Sequence, residues 1–243
     1  MRDETLAVHA GYQSDPTTKA VVPPICQNVA FEFDDAAHGA ALFNLEVPGN
    51  IYTRIMNPTN AVLEERLAAL EGGVAALAVA SGSSAVALSL QNLCSAGDNI
   101  VSSPYLYGGT WNLFANTFKQ LGIEVRFADA DNPDSFRDLT DDKTRAYFAE
   151  TLPNPKLSLF PIAEVAAVGK SLDIPLVVDN TTAPITCRPI DHGASIVVHS
   201  LTKYIGGHGT SIGGIIIDSG NFDWINNVCS FTIPSLEPLP CTV

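Results

Sequence analysis

From Asn57 onward the chain alternates between two kinds of apolar pattern. Leu63, Leu67 and Leu70 recur at helical spacing, behind an Asn57 that can cap a helix and a Pro58 suited to its first position. Gly72-Gly73 stops that helix. Val74–Ala80 follows as a short apolar run ending in Ser81-Gly82, and a second helical pattern runs from about Ser83 to Leu93. The alternation then predicts strands over Asn99–Ser103, Glu124–Ala128, Thr144–Ala149, Pro175–Asp179, Ser195–His199 and Gly214–Asp218. Helices are predicted over Thr110–Leu121 and Ile162–Ser171. The strand segments are nearly all apolar, which is the pattern of strands covered on both faces. The expected fold class is therefore α/β, a parallel or mostly parallel sheet of about seven strands between helices.

Both ends depart from this rhythm. Residues 1–60 are rich in Pro, Gly, Asn and aromatic side chains, and only a short helix around Asp35–Leu45 is predicted there. Such an arm packs onto another subunit or meanders over its own domain, and the pattern leaves both open. Asn226–Val243 has three prolines and no clear periodicity, so it reads as an irregular tail.

Composition narrows the function classes. With 46% apolar and 16% charged residues in 243, the chain can bury a large core. Its net charge of -13 repels phosphate backbones and anionic lipid, which argues against nucleic-acid and membrane-surface partners. Cys26, Cys94, Cys187, Cys229 and Cys241 are odd in number, widely spaced and without a C-x-x-C. This suits a reduced cytoplasmic protein and neither a disulfide framework nor a zinc site. MRDETLAVHAGYQ lacks the apolar segment of a secretory leader, and no run of about 18 apolar residues suggests a membrane span.

In open α/β sheets, sites form at the carboxyl ends of strands. Three predicted ends carry distinctive groups. Ser81-Gly82-Ser83 joins a strand to a helix; it is a tight turn, or a place where free N–H groups bind phosphate. Asp179 ends an apolar strand and either caps a turn or faces a buried cation. Ser200, Thr202 and Lys203 leave a third strand together. A lysine desolvated there would be a nucleophilic amine able to form an imine with an aldehyde, and the hydroxyls beside it could contact phosphate. An imine-forming lysine, a carboxylate for a pyridinium nitrogen and a phosphate cradle are together what a protein supplies to pyridoxal 5′-phosphate (PLP).

At this level of detail the chain resembles a known family. HAGYQSDPTT, the run from DDAAHGAALFNL to GNIYTRIMNPT, LEERLAALEGG, LYGGT, VVDNTTAP, HSLTKYIGGHG and DSGNFDW are similar to the cystathionine γ-synthase-like, or Cys/Met-metabolism, PLP enzymes. The likeness runs from residue 1 to about 224. It implies a fold-type I (aspartate-aminotransferase-like) large domain over 61–224, an arm over 1–60 that contacts a neighbouring subunit, and an irregular tail over 225–243 in place of a C-terminal domain. It also implies that Lys203 is the Schiff-base lysine and a proton carrier, and that Asp179 partners the pyridinium nitrogen. Tyr107 would stack on the ring, and Ser81, Gly82, Ser83, Ser200 and Thr202 would hold the phosphate. Asn154 would lie near the ring hydroxyl, and Tyr52 and Arg54 would reach a neighbouring subunit's cofactor phosphate. His199 is read as structural.

The activity implied is a PLP-dependent γ-replacement on O-acetyl-L-homoserine with sulfide, in a cytoplasmic homo-oligomer, dimer or tetramer. The alternatives are a γ-synthase or γ-lyase reaction on cystathionine or methionine, or a catalytically silent PLP-binding fragment. Family members continue into a domain whose arginine grips the substrate carboxylate, whereas this sequence stops at Val243. No G-x-G-x-x-G follows the first strand, which sets aside a dinucleotide-binding fold.

Overall fold

The computed structural model describes residues 2–227. These form two compact units, one up to Leu70 and one from Glu71 onward.

The first unit holds α1 (Asp3–His9), α2 (Ala36–Phe43) and α3 (Pro58–Glu71, whose last residue begins the second unit). The expectation of one helix before residue 57 missed α1. None of its residues is buried, so no apolar stripe marks it, but Asp3 and Glu4 in its first turn and His9 in its last suit the helix dipole. Asp35 caps α2 by accepting the His38 N–H at 2.7 Å. Asn57 does the same for α3, accepting the Thr59 N–H at 2.9 Å.

The second unit is the α/β body. In chain order it contains β1 (Ala75–Val79), α4 (Gly82–Leu93), β2 (Asn99–Ser102), α5 (Gly108–Asn112) and β3 (Glu124–Phe127). Then come α6 (Asp134–Asp138), β4 (Thr144–Glu150), α7 (Ile162–Lys170), β5 (Leu176–Asp179), β6 (Ile196–Ser200), β7 (Gly214–Asp218) and α8 (Trp224–Asn227). The strands form one seven-stranded sheet in the order β1-β7-β6-β5-β4-β2-β3. All neighbours are parallel except β7, which runs antiparallel to both β1 and β6. No helix intervenes between β6 and β7, and only an antiparallel pair can be joined without a crossover. The mostly parallel seven-stranded sheet expected from the apolar runs is therefore present.

Three expectations need correction. The helix predicted over Thr110–Leu121 starts earlier, at Gly108, and passes into a π-helical turn over Leu113–Phe118. The short helices α6 and α8 and a 3₁₀ turn over Pro189–His192 carried too few apolar repeats to be seen. Finally, not every apolar strand is covered on both faces: β1 and β3 occupy the sheet edges and are partly exposed, while β2 is fully buried. Of the predicted tail, the part beyond Asn227 lies outside the described residues, as do Cys229 and Cys241.

The main core lies between the sheet, α4 and the π-helical turn over Leu113–Phe118. Leu90 and Phe114 pack there with Ile100, Phe148, Val177 and Val198. Phe114 meets Phe148 edge-on at 5.1 Å between ring centroids. This core holds α4 against β4 and β6.

Candidate active site

At the end of β1 the chain turns sharply into α4. Ser81 is the N-cap, in extended conformation, and its hydroxyl accepts the Ser84 N–H at 3.1 Å. The N–H groups of Gly82 and Ser83 belong to the first turn, which has no intrahelical acceptors, and they make no bond among the described residues. Gly82 is required here by space. A Cβ on it would lie 2.4 Å from the Ser200 Cβ and 2.8 Å from the Ser200 Cα. Close approach of backbone to backbone thus sets the α4 N-terminus directly beside the end of β6. Ser83 is exposed, and Ser200 is part-buried.

A relay of hydrogen bonds ties β5 to the same spot. The Asp179 Oδ1 accepts the Thr181 N–H at 2.9 Å and the Thr181 hydroxyl at 2.5 Å. The Thr181 Oγ1 in turn accepts the Ser200 N–H at 2.8 Å. Asp179 Oδ2 has no hydrogen bond among the described residues. Burial pushes the Asp179 carboxyl above its ordinary range, and the two Thr181 bonds pull the other way. Such a carboxylate gains most from a cationic group brought to its free oxygen.

Thr202 and Lys203 lie on the turn after β6. The Thr202 hydroxyl accepts the Gly213 N–H at 3.2 Å, which folds the loop back on itself. Lys203 is held through its backbone: its N–H donates to the Ser200 carbonyl at 3.2 Å and its carbonyl accepts the Gly207 N–H at 2.8 Å. Its side chain is exposed, and its amine makes no bond or ion pair among the described residues. The expectation of a lysine desolvated against the sheet edge is therefore corrected. The turn lifts the side chain off the strand, and the surrounding residues do not cover it.

Tyr107 precedes α5 and is half-exposed at 51%. Its backbone N–H donates to the buried Glu150 carboxylate at 2.6 Å. Asn154 is exposed on the loop that follows β4. Tyr52 and Arg54 belong to the first unit, where both are exposed and the guanidinium carbon lies 5.8 Å from the Tyr52 ring centre. Neither is a core or ion-pair residue within that unit.

Four residues with a part in this region were not anticipated as such: Thr181, Glu150, Asn180 and Glu71. Thr181 and Asn180 sit in the DNTT run whose Asp179 drew all the attention. Asn180 is fully buried. It donates to Glu71 Oε1 at 3.1 Å and to the Cys187 carbonyl at 2.9 Å, and accepts from the Thr151 hydroxyl at 2.8 Å. Glu71 Oε1 also lies 2.7 Å from His199 Nε2, so the structural reading of His199 gains a partner. Both members of that pair are buried. Among the described residues, Cys26, Cys94 and Cys187 are free thiols, no cluster suits a metal ion, and no helix is long and apolar enough to cross a membrane.

A mostly parallel seven-stranded sheet with phosphate-type donors after β1 and a part-buried carboxylate and a lysine at the ends of β5 and β6 is the architecture of the fold-type I PLP enzymes. The chain belongs to the family of Cys/Met metabolism PLP-dependent enzymes, whose family model matches residues 4–235. It is 57% identical over 226 residues to an O-acetyl-L-homoserine sulfhydrylase of Leptospira meyeri, covering 93% of this chain and 51% of that protein. Against a homocysteine/cysteine synthase of Saccharomyces cerevisiae it is 50% identical over 225 residues, covering 91% and 51%. Among solved structures, a putative O-acetylhomoserine (thiol)-lyase of Campylobacter jejuni holding N′-pyridoxyl-lysine-5′-monophosphate superposes with a TM-score of 0.89 at 40% identity, over 95% of this chain and 56% of that one. A cystathionine γ-lyase of Lactobacillus plantarum gives 0.83 at 33% identity, over 90% and 55%. The chain thus spans about half the length of the relatives it matches. PLP is the cofactor of the family, and the unpaired N–H groups of Gly82 and Ser83, the free oxygen of Asp179 and the free amine of Lys203 fit its phosphate, ring nitrogen and aldehyde.

Proposed function

We propose that this chain is the cofactor-binding portion of an O-acetyl-L-homoserine sulfhydrylase, which replaces the γ-acetoxy group of its substrate with sulfide to give homocysteine and acetate. The observation that carries the cofactor part is the close approach of Gly82 to Ser200, which the Thr181 bridge ties to Asp179 and from which the Lys203 turn departs. In this reading the N–H groups of Gly82 and Ser83 and the hydroxyls of Ser81, Ser200 and Thr202 hold the phosphate. Asp179 holds the ring nitrogen in its protonated form, and Thr181 orients that carboxylate. Tyr107 lies against the ring face and Asn154 near its hydroxyl. PLP, when bound, supplies the electron sink that makes Cα and Cβ protons of an amino acid removable. The Lys203 amine would hold the cofactor's aldehyde carbon and would carry protons at Nζ. The choice of O-acetylhomoserine rests on the 57% identity to a relative bearing that name.

The arm is read as an intersubunit element. In this reading the protein is a homo-oligomer of the cytoplasm, and Tyr52 and Arg54, exposed side by side, are the pair that reaches a neighbouring subunit's cofactor phosphate. The test uses the full-length protein. It should carry a visible chromophore that borohydride fixes to Lys203, and it should release acetate from O-acetylhomoserine only when sulfide is supplied. A protein that stays colourless with added PLP defeats the cofactor reading. Ketoacid release from methionine or cystathionine, without acetate release from O-acetylhomoserine, defeats the choice of substrate.

A further inference from the structure

Glu150 is the last residue of β4 and stands in register with Asp179 of β5, so both carboxylates leave the sheet on the same face. It is 6% exposed. Its carboxylate reaches across to the β2–α5 loop. Oε1 takes the Tyr107 N–H at 2.6 Å from a residue 43 positions away. The β2–α5 loop has a second tie to β4, since the Ser103 N–H donates to the Phe148 carbonyl at 3.0 Å. Glu150 adds the tie at the far end of that loop, where the aromatic ring emerges. A buried carboxylate beside another is costly: burial, then the charge of Asp179, push the Glu150 carboxyl up to about 8. The Tyr107 N–H is what it serves in return.

We propose that Glu150 is a positioning residue of the cofactor site, fixing Tyr107 at the height it needs to meet the PLP ring. The proposal rests on the reading of PLP at Lys203. Without the carboxylate the Tyr107 N–H loses a buried acceptor, and the β2–α5 loop can relax away from β4.

The test uses the full-length protein stripped of PLP and titrated with it. Glu150→Ala should weaken PLP binding by about tenfold and diminish the visible circular dichroism of the bound cofactor. Glu150→Gln, which keeps one acceptor oxygen, should fall between it and the unaltered protein. In a Tyr107→Ala background the Glu150 substitutions should cost less than about threefold further, because the contact they loosen is already gone. Unchanged affinity and dichroism in the Glu150 variants overturn the proposal. So does an equal loss with and without Tyr107, which would mean that Glu150 supports the fold and not the ring contact. Should the alanine variant not fold, the glutamine variant decides by the same comparisons. If the unaltered protein binds no PLP at Lys203, the proposal falls together with the cofactor reading; if it binds and the variants match it, the proposal falls alone.

Discussion

Gly82→Ala isolates the closest approach in the candidate site. The added Cβ would sit 2.4 Å from Ser200 Cβ, 2.8 Å from its Cα and 2.9 Å from its Oγ. Carbon atoms rest at about 3.5–4.0 Å, so α4 and the end of β6 must part by about 1 Å. Ser200 has little room to yield, because its backbone N–H is tied to Thr181 and the carbonyl accepts Lys203 N–H. Overpacking of this kind costs about 1–3 kcal/mol, and alanine's better helix propensity returns at most about 1 kcal/mol. The net loss of about 1–2 kcal/mol should lower the melting temperature by about 2–8 °C for a chain of this size. The cofactor effect should be larger. A 1 Å shift of the first-turn N–H groups away from Ser200 forfeits one or two charge-assisted hydrogen bonds to phosphate, each worth about 1.5–3 kcal/mol. PLP affinity should therefore fall by about 10- to 100-fold, read by absorbance titration of the stripped protein. Gly108→Ala is the control: it adds a Cβ at the first turn of α5 with nothing within 4 Å, and the melting temperature should hold or rise. Wild-type PLP affinity in Gly82→Ala would refute the argument, since the placing of those N–H groups would then not be set by that contact.

Other expectations follow from the same groups. In stripped protein, stability should decline as pH rises from about 4.5 to about 8, because folded Glu150 keeps a proton that the unfolded chain has released; the slope is up to about 1.4 kcal/mol per pH unit. Asp179, also shifted upward, adds a decline of the same sign, and Glu150→Gln should flatten its own part of the curve in urea melts taken across that range. Glu71→Ala leaves His199 and the Asn180 amide without their shared acceptor and should cost about 3–5 kcal/mol in urea unfolding. Glu71→Gln, retaining an acceptor, should cost clearly less. Thr181→Val removes the hydroxyl between Asp179 and the Ser200 N–H and should cost about 1–3 kcal/mol. Its PLP affinity should also fall, as measured in the same titration.

The sheet was legible because burial writes itself into apolar runs. β4, β5 and β6 carry continuous runs whose limits lie within a residue or so of those in the structure. β1 and β3 read the same way, yet they are edges, because an apolar run reports strand preference and not which neighbours will cover it. Asp179 and Lys203 were legible for a different reason: a charge at the end of an apolar run stands out. Glu150 also ends such a run, in YFAE, and the same signal could have found it. What could not be read is that its partner is a backbone N–H at Tyr107, since backbone donors carry no residue code. Glu71 and His199, 128 positions apart, meet only once the sheet is assembled.

The exposed side chain of Lys203 follows from the same division of labour. The chain secures the lysine by main-chain bonds to Ser200 and Gly207 and leaves its amine unpaired. The acid sits one strand away at Asp179, held by Thr181 with one oxygen to spare. Separating the two by a strand leaves that oxygen and the amine each without a partner among the described residues. The same reasoning sets the expected behaviour of Lys203→Arg. It retains the charge at this position but has no deprotonated form to offer, so borohydride should fix no cofactor to it.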